Sequence, residues 1–239
     1  MKRVQPAKIR RELWAQGAGG VFLEWRGFLE AILNEFPTVR GLAGLATDSE
    51  RAVRQRSLAL WILGRIRARS ASKAILNVLL SGDPVLSPYA GMALGEIKDE
   101  RLVPLVASAI GSPIVEVRDA AIWVATKHID FRALPALLHA AETESNPTIR
   151  MWIIHALIGY RDERAINAIA KALDDELPFV RSMAIWATCC VSSDPHARTF
   201  LAPLKRLQAD EDRLREHGKE RKQDSARIAE VLNRLEGRQ

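Results

Sequence analysis

The side chains able to ligate a soft metal or act as a thiol nucleophile are few here, and their spacing supports neither role. His128, His139, His155, His196 and His217 never fall at the short intervals that bring two ligands to one metal. Cys189 and Cys190 are adjacent, and neighbours in one helix cannot easily bring their sulfurs together. Their expected role is that of small side chains on a packed helix rather than nucleophiles. Gly17, Ala18, Gly19 and Gly20 lack the lysine and the strand-to-helix context of a phosphate loop. The sequence therefore predicts no catalytic residue, no metal ligand and no cofactor.

Two sets of residues remain that suit recognition. Arg101, Arg132 and Arg164 recur at steps of 31 and 32 residues and should project in a row. Asp99, Asp130 and Asp162 stand two residues before them, placed to neutralise them. Trp61, Met92, Trp123, His155 and Trp186 form a second column with steps of 31, 31, 32 and 31. Three tryptophans in such a column would make an apolar ridge, and exposed aromatic patches commonly mark partner sites. The alternative is burial of the rings between neighbouring helices.

Both sets are placed by one repeat. A column of Arg56, Ser87, Arg118, Arg150 and Arg181 and another of Ala59, Ala90, Ala121, Ile153 and Ala184 keep the same phase over five units. A fixed period of this size marks a repeat array. In one unit Leu86, Ala90, Ala93, Leu94 and Ile97 form a single stripe of a helix. Asp83 and Pro84 before it supply an N-cap and a first-turn proline, as do Ser112 with Pro113 and Asn146 with Pro147. Leu177 before Pro178 cannot cap, but Asp174 and Asp175 lie just upstream. Gly64, Gly95 and Gly159 are expected to close the first helices in the left-handed conformation. A second helix then opens at Asp99, Asp130 or Asp162, with acids favouring the positive end of its dipole. Each unit is thus a helical hairpin that must stack on its neighbours to complete a core.

The helical phase sorts the columns. At roughly 100° per residue the alanine column sits at the centre of the buried stripe, and the tryptophan column, about 120° from the Leu86 position, lies off it on the flank or outer side of the first helices. Arg118, Arg150 and Arg181 are expected to bond between repeats to acids such as Glu116, Asp119 or Asp175, the alternative being a ladder that reaches an anionic partner. The row of Arg101, Arg132 and Arg164 opens the second helices and is the preferred candidate for ligand contact.

The run Asp83, Pro84, Val85, Leu86 through Ala90, Gly91, Met92, Ala93, Leu94, Gly95, Glu96 and Ile97, and the Val-Arg-x-x-Ala starts at Val117 and Val180, resemble the short HEAT-like repeat. This is the type also found in phycobilisome lyases. The resemblance implies an all-α, right-handed α-solenoid (α-α superhelix) of about five helical hairpins. N- and C-terminal capping helices would complete it, for about ten to twelve helices in all. In solenoids of this kind the second helices line the concave side. Residues 1–47 are read as the N-terminal cap, 48–207 as the repeat array, and 208–239 as a charged linker with a capping helix that presents Ile228, Val231, Leu232 and Leu235 on one face.

Charge divides the chain. Residues 1–82 carry 14 Lys/Arg against 6 Asp/Glu, a balance of +8, whereas 83–207 carry 13 against 15. Lys2, Arg3, Lys8, Arg10, Arg11 and the cluster from Arg51 to Arg69 hold the excess. The N-terminus has no apolar run behind its charges and no stretch reaches membrane-spanning length, so a cytoplasmic protein is expected. The preferred function is a non-catalytic scaffold, adaptor or inhibitor that grips another protein on the concave surface. Two alternatives stay open. One, from the resemblance, is a bilin lyase or chaperone-like activity on a tetrapyrrole protein. The other is nucleic-acid binding through the basic N-terminal third, against which the acidic middle argues.

Overall fold

The structure is a computed structural model that describes residues 23–216 and 222–237. Among the described residues it has thirteen α-helices and no β-strand. That is one more than the upper expectation of twelve. The residues from Gly17 to Gly20, the basic residues Lys2, Arg3, Lys8, Arg10 and Arg11, and His217 lie outside the described residues. The chain divides into two compact units, residues 1–128 and 129–239.

In the first unit, α1 (Leu23–Glu35) and α2 (Val39–Thr47) precede α3 (Val53–Arg65), α4 (Ser72–Leu80), α5 (Leu86–Ile97), α6 (Val103–Ile110) and α7 (Val115–Lys127). The first helices α3, α5 and α7 pack side by side, with α4 against α5 and α6 against α7. Ala59, Ala90 and Ala121 lie at their contacts with no exposed surface. Small residues there let the helices approach closely. A Cβ on Gly64 would fall 2.8 Å from the Ala93 Cα, and one on Gly91 2.9 Å from the Ala120 carbonyl oxygen.

The expectation for Gly64, Gly95 and Gly159 is thereby corrected. None of the three is left-handed, and the first two lie inside α3 and α5. The left-handed residues after these first helices are Arg67, Lys98 and Arg161, at φ of 49°, 51° and 44°. At α3 the closure is a Schellman motif with Arg67 at C′. The Ala68 N–H donates to the Leu63 carbonyl at 3.0 Å and the Arg67 N–H to the Gly64 carbonyl at 2.9 Å.

The second unit contains α8 (Leu134–Thr143), α9 (Pro147–Leu157), α10 (Glu163–Ala172), α11 (Pro178–Val191), α12 (Leu201–Glu216) and α13 (Lys222–Leu235). Helices α9 and α11 are neighbours, and α10 packs on both. Ile153 and Ala184 are fully buried, like their alanine counterparts in the first unit. Helix α13 covers α11 and α12. It buries Ile228, Val231 and Leu232, and the Ser182 hydroxyl donates to Asp224 at 2.6 Å.

Local chemistry explains where the first helices begin. Asp83 accepts from the Val85 and Leu86 N–H groups at 2.9 Å, and Asn146 from Thr148 and Ile149. Ser112 accepts from Ile114 at 3.2 Å. At Leu177, where the capping side chain is missing, Asp175 accepts the Leu177 N–H instead at 2.9 Å. No helix among the described residues is long and apolar enough to cross a membrane.

Candidate interaction site

The arginine row is built at the starts of the second helices. Asp99, Asp130 and Asp162 each accept the N–H two residues on, which satisfies a donor that the first turn would otherwise leave open. The arginine at that position folds back and grips the same carboxylate with Nε and Nη2. The distances are 2.8 and 2.6 Å at Arg101, 3.0 and 2.7 Å at Arg132, and 2.9 and 3.1 Å at Arg164. The carboxylates are covered, while the arginine side chains are 74%, 52% and 60% exposed. Each guanidinium is therefore held in a fixed direction on a side chain that stays exposed.

The hydrogen bonds from Arg101 hold the Asp99 carboxyl at about 2 against a usual 3.8. Arg164 shifts Asp162 in the same direction. Because the folded-state value of Asp99 is depressed, its contribution to stability is complete above the unfolded value and is lost as pH falls from about 4 to about 2. Asp99→Ala removes cap and clamp together, and a loss of about 1 kcal/mol is expected. Urea titrations should show that loss at pH 7 and a smaller one at about pH 2. An equal loss at both would mean that the carboxylate charge is not involved.

The column one position past the start of the stripe has a common structural job. Arg56 donates to the Ala46 carbonyl at 3.2 Å, Arg118 to Ser112 at 2.9 Å and Arg181 to Asp175 at 2.8 Å, while the Ser87 hydroxyl donates to Leu79 at 3.0 Å. These bonds tie each first helix to the end of the preceding segment. The expected acid partner appears at Arg150, which clamps Asp175 at 2.8 and 3.0 Å. Burial alone would raise the Asp175 carboxyl, but bonds from Arg150 and the Leu177 N–H hold it below its ordinary value.

In the second unit a groove of about 400 Å³ opens between α8, α9 and α10. Its floor includes Leu138, Ala141, Ile154 and Ala168, and Arg164 stands on its rim. Lys171 and Glu142 pair at 3.2 Å beside it. The short alanine side chains leave this apolar floor partly open.

The tryptophan column lies on the flank of the first helices. Trp61, Trp123, His155 and Trp186 are half-buried, and Met92 is 48% exposed. In the first unit Trp61, Met92 and Trp123 line a cleft of about 120 Å³ with Tyr89, Arg65 and Lys127. Sequence reasoning missed these last three. Arg65 and Lys127 stand four residues after Trp61 and Trp123, on the same helical face, and Tyr89 stands three before Met92, so the signal was present. In the second unit His155 lies between Trp152 and Trp186, with ring centroids 5.7 and 5.6 Å away.

No cluster of metal-ligating residues occurs among the described residues. Burial pushes the thiols of Cys189 and Cys190 above their ordinary value, opposite to the activation a nucleophile needs.

No curated protein matches the chain in sequence. Among solved structures it is similar to an engineered protein at 17% identity and a TM-score of 0.57, over 83% of this chain and 96% of that one. It is less similar to human deoxyhypusine hydroxylase in complex with glycerol, at 15% identity and a TM-score of 0.36, over 88% of this chain and 96% of that one. The first likeness shows a shared fold, and the second is too distant to support an argument. A family model for HEAT repeats matches residues 73–158, 104–189 and 134–217, together more than half of the chain. That match coincides with the helical hairpins, their buried alanine column and their capped starts, and the chain belongs to the HEAT-repeat family, an all-α protein of the α-solenoid class.

Proposed function

We propose that the chain is a non-catalytic protein-interaction module whose array, residues 48–207, holds a partner protein through the second-helix side. The observation that carries this reading is the groove of about 400 Å³ in the second unit, with a partly open apolar floor and Arg164 at its rim. Apolar burial supplies affinity in such a site, and a pre-oriented guanidinium supplies direction at small entropic cost. Arg132 in the same unit is held in the same clamp, and Arg101 repeats that clamp in the first unit. HEAT repeats typically mediate protein interactions, which agrees with this role.

Affinity capture with three forms of the chain tests the reading. Arg101, Arg132 and Arg164 are replaced together by Gln in one variant, and Ala168 by Trp in the other. A protein partner should be retained by the wild type and lost from both, with the helical signal of each variant intact. Filling the groove should cost about 2 kcal/mol or more of binding. A partner retained equally by both variants would place the interface elsewhere. Capture that nuclease treatment abolishes would favour nucleic acid.

A further inference from the structure

The first unit carries a different surface, where the tryptophan cleft meets the turns between first and second helices. Arg65 and Lys127 stand in the wall of the cleft, and Lys127 Nζ lies 4.6 Å from the centre of the Trp123 ring. The adjoining turns present Arg67, Arg69 and Lys98, all exposed. Arg101 Nη2 reaches the Arg69 carbonyl at 3.4 Å, which sets two successive turns side by side. Among the described residues Arg65, Arg67, Arg69 and Lys98 have no ion-pair partner. Glu96, Asp99 and Glu100 are the carboxylates of this edge, and Asp99 is taken up by Arg101.

We propose that this surface binds an acidic protein segment that seats one large apolar side chain between Trp61, Tyr89, Met92 and Trp123 and lays carboxylates against Arg65, Arg67, Arg69 and Lys127. The inference rests on reading the chain as a protein-binding module and adds a second contact surface and the partner's chemistry. A cleft of about 120 Å³ admits a single side chain. Its apolar walls are aromatic and thioether groups, adaptable enough to accept more than one apolar shape, and Arg65, Lys127 and Glu96 complete the lining. Arg65, Arg67 and Arg69 make no salt bridge among the described residues and Lys127 lies over the Trp123 ring, so a partner's carboxylates meet them without breaking an internal salt bridge. A nucleic-acid backbone fits less well. It needs an uninterrupted track of cations, and Glu96 and Glu100 break this one. Carboxylates along a polypeptide can be spaced to avoid both.

Peptide display panned against the full chain provides the test, with two variants alongside. One carries Arg65→Gln, Arg69→Gln and Lys127→Gln, and the other Met92→Glu. All four side chains are at least partly solvent-facing, and circular dichroism checks that the helices persist. Enriched peptides should carry several Asp or Glu around one Trp, Phe, Leu or Met. A synthetic enriched peptide, followed by fluorescence anisotropy, should bind the wild type about tenfold or more tighter than either variant and weaken as salt is raised. Peptides that are not acidic, or that bind both variants as well as the wild type, would overturn this proposal while leaving the protein-binding reading in place. No enrichment at all would also overturn it, and the groove variants above would then decide that reading independently. A labelled oligothymidylate binding more tightly than any peptide, and weakened by the same triple substitution, would overturn it in favour of nucleic acid.

Discussion

Ala90→Asp is expected to unfold the first unit at neutral pH. Ala90 has no exposed surface and sits on α5 between α3 and α7, among the fully buried residues of its column. No basic group of that column stands ready to pair with a carboxylate. A buried carboxylate escapes the cost of its charge only by taking up a proton, which raises its pKa by up to about 3–5 units. At about 1.4 kcal/mol per unit, and with the cost capped at the roughly 3 units between the unfolded value and pH 7, the loss from ionisation is about 4 kcal/mol. Whole domains are stable by about 5–15 kcal/mol, so this loss, together with about 1–3 kcal/mol for burying the unpaired neutral carboxyl, is enough to empty the folded state. The sign of the pH dependence follows. The folded-state pKa is raised, so the folded form binds the extra proton and the variant recovers stability as pH falls toward the unfolded value near 4. Ala90→Asn has nearly the same size and should be destabilised without that recovery. Melting curves across pH check both, and a wild-type Tm for Ala90→Asp would mean that α5 is turned the other way.

What was legible in the sequence was legible because it is local or periodic. The alanine column needs only the helical period, and its members are fully buried in both units. The cap at Asn146 and the bond from the Leu86 N–H to Asp83 need only a side chain beside its own helix start, whereas Ser112 reaches only the Ile114 N–H, before α7 begins. Even Leu177 came with its substitute, since Asp175 was already in view two residues upstream. Other features depend on what two helices do to each other. Arg118 and Arg181 also donate to backbone carbonyls of the preceding turn, bonds that the acids in the sequence do not announce. A sequence displays its carboxylates but not which carbonyls a turn leaves exposed. The cleft beside Trp61 was hidden for a similar reason. Its lining comes from three helices, and only their lateral packing brings Arg65, Tyr89 and Lys127 to one place.

The glycines show this limit most sharply, and they carry the second large expected effect. A glycine near the end of a helical stripe serves equally well as a left-handed cap or as a point of close approach, and spacing alone does not separate the two. The structure assigns closure to Arg67 and Lys98 and leaves Gly64 and Gly91 inside helices, where another helix lies against them. Helix propensity by itself favours replacing glycine with alanine by about 0.5–1 kcal/mol. That gain should appear at Gly44, which is exposed on α2 with nothing within 4 Å of an added Cβ. At Gly91 the sign should reverse. The nearest atom to an added Cβ is the Ala120 carbonyl oxygen at 2.9 Å, and backbone cannot step aside as the tip of a side chain can. Gly91→Ala should cost about 1–3 kcal/mol despite the better propensity. Gly91→Leu must separate α5 from α7 along the contact that also buries Ala90 and Ala121, and it is expected to lose more than about 4 kcal/mol. Denaturant titrations of the three variants give the ordering directly. A Gly91→Ala protein stabilised as much as Gly44→Ala would show that the two helices stand farther apart than a Cβ requires, and the close packing of the first unit would then need another cause than its small residues.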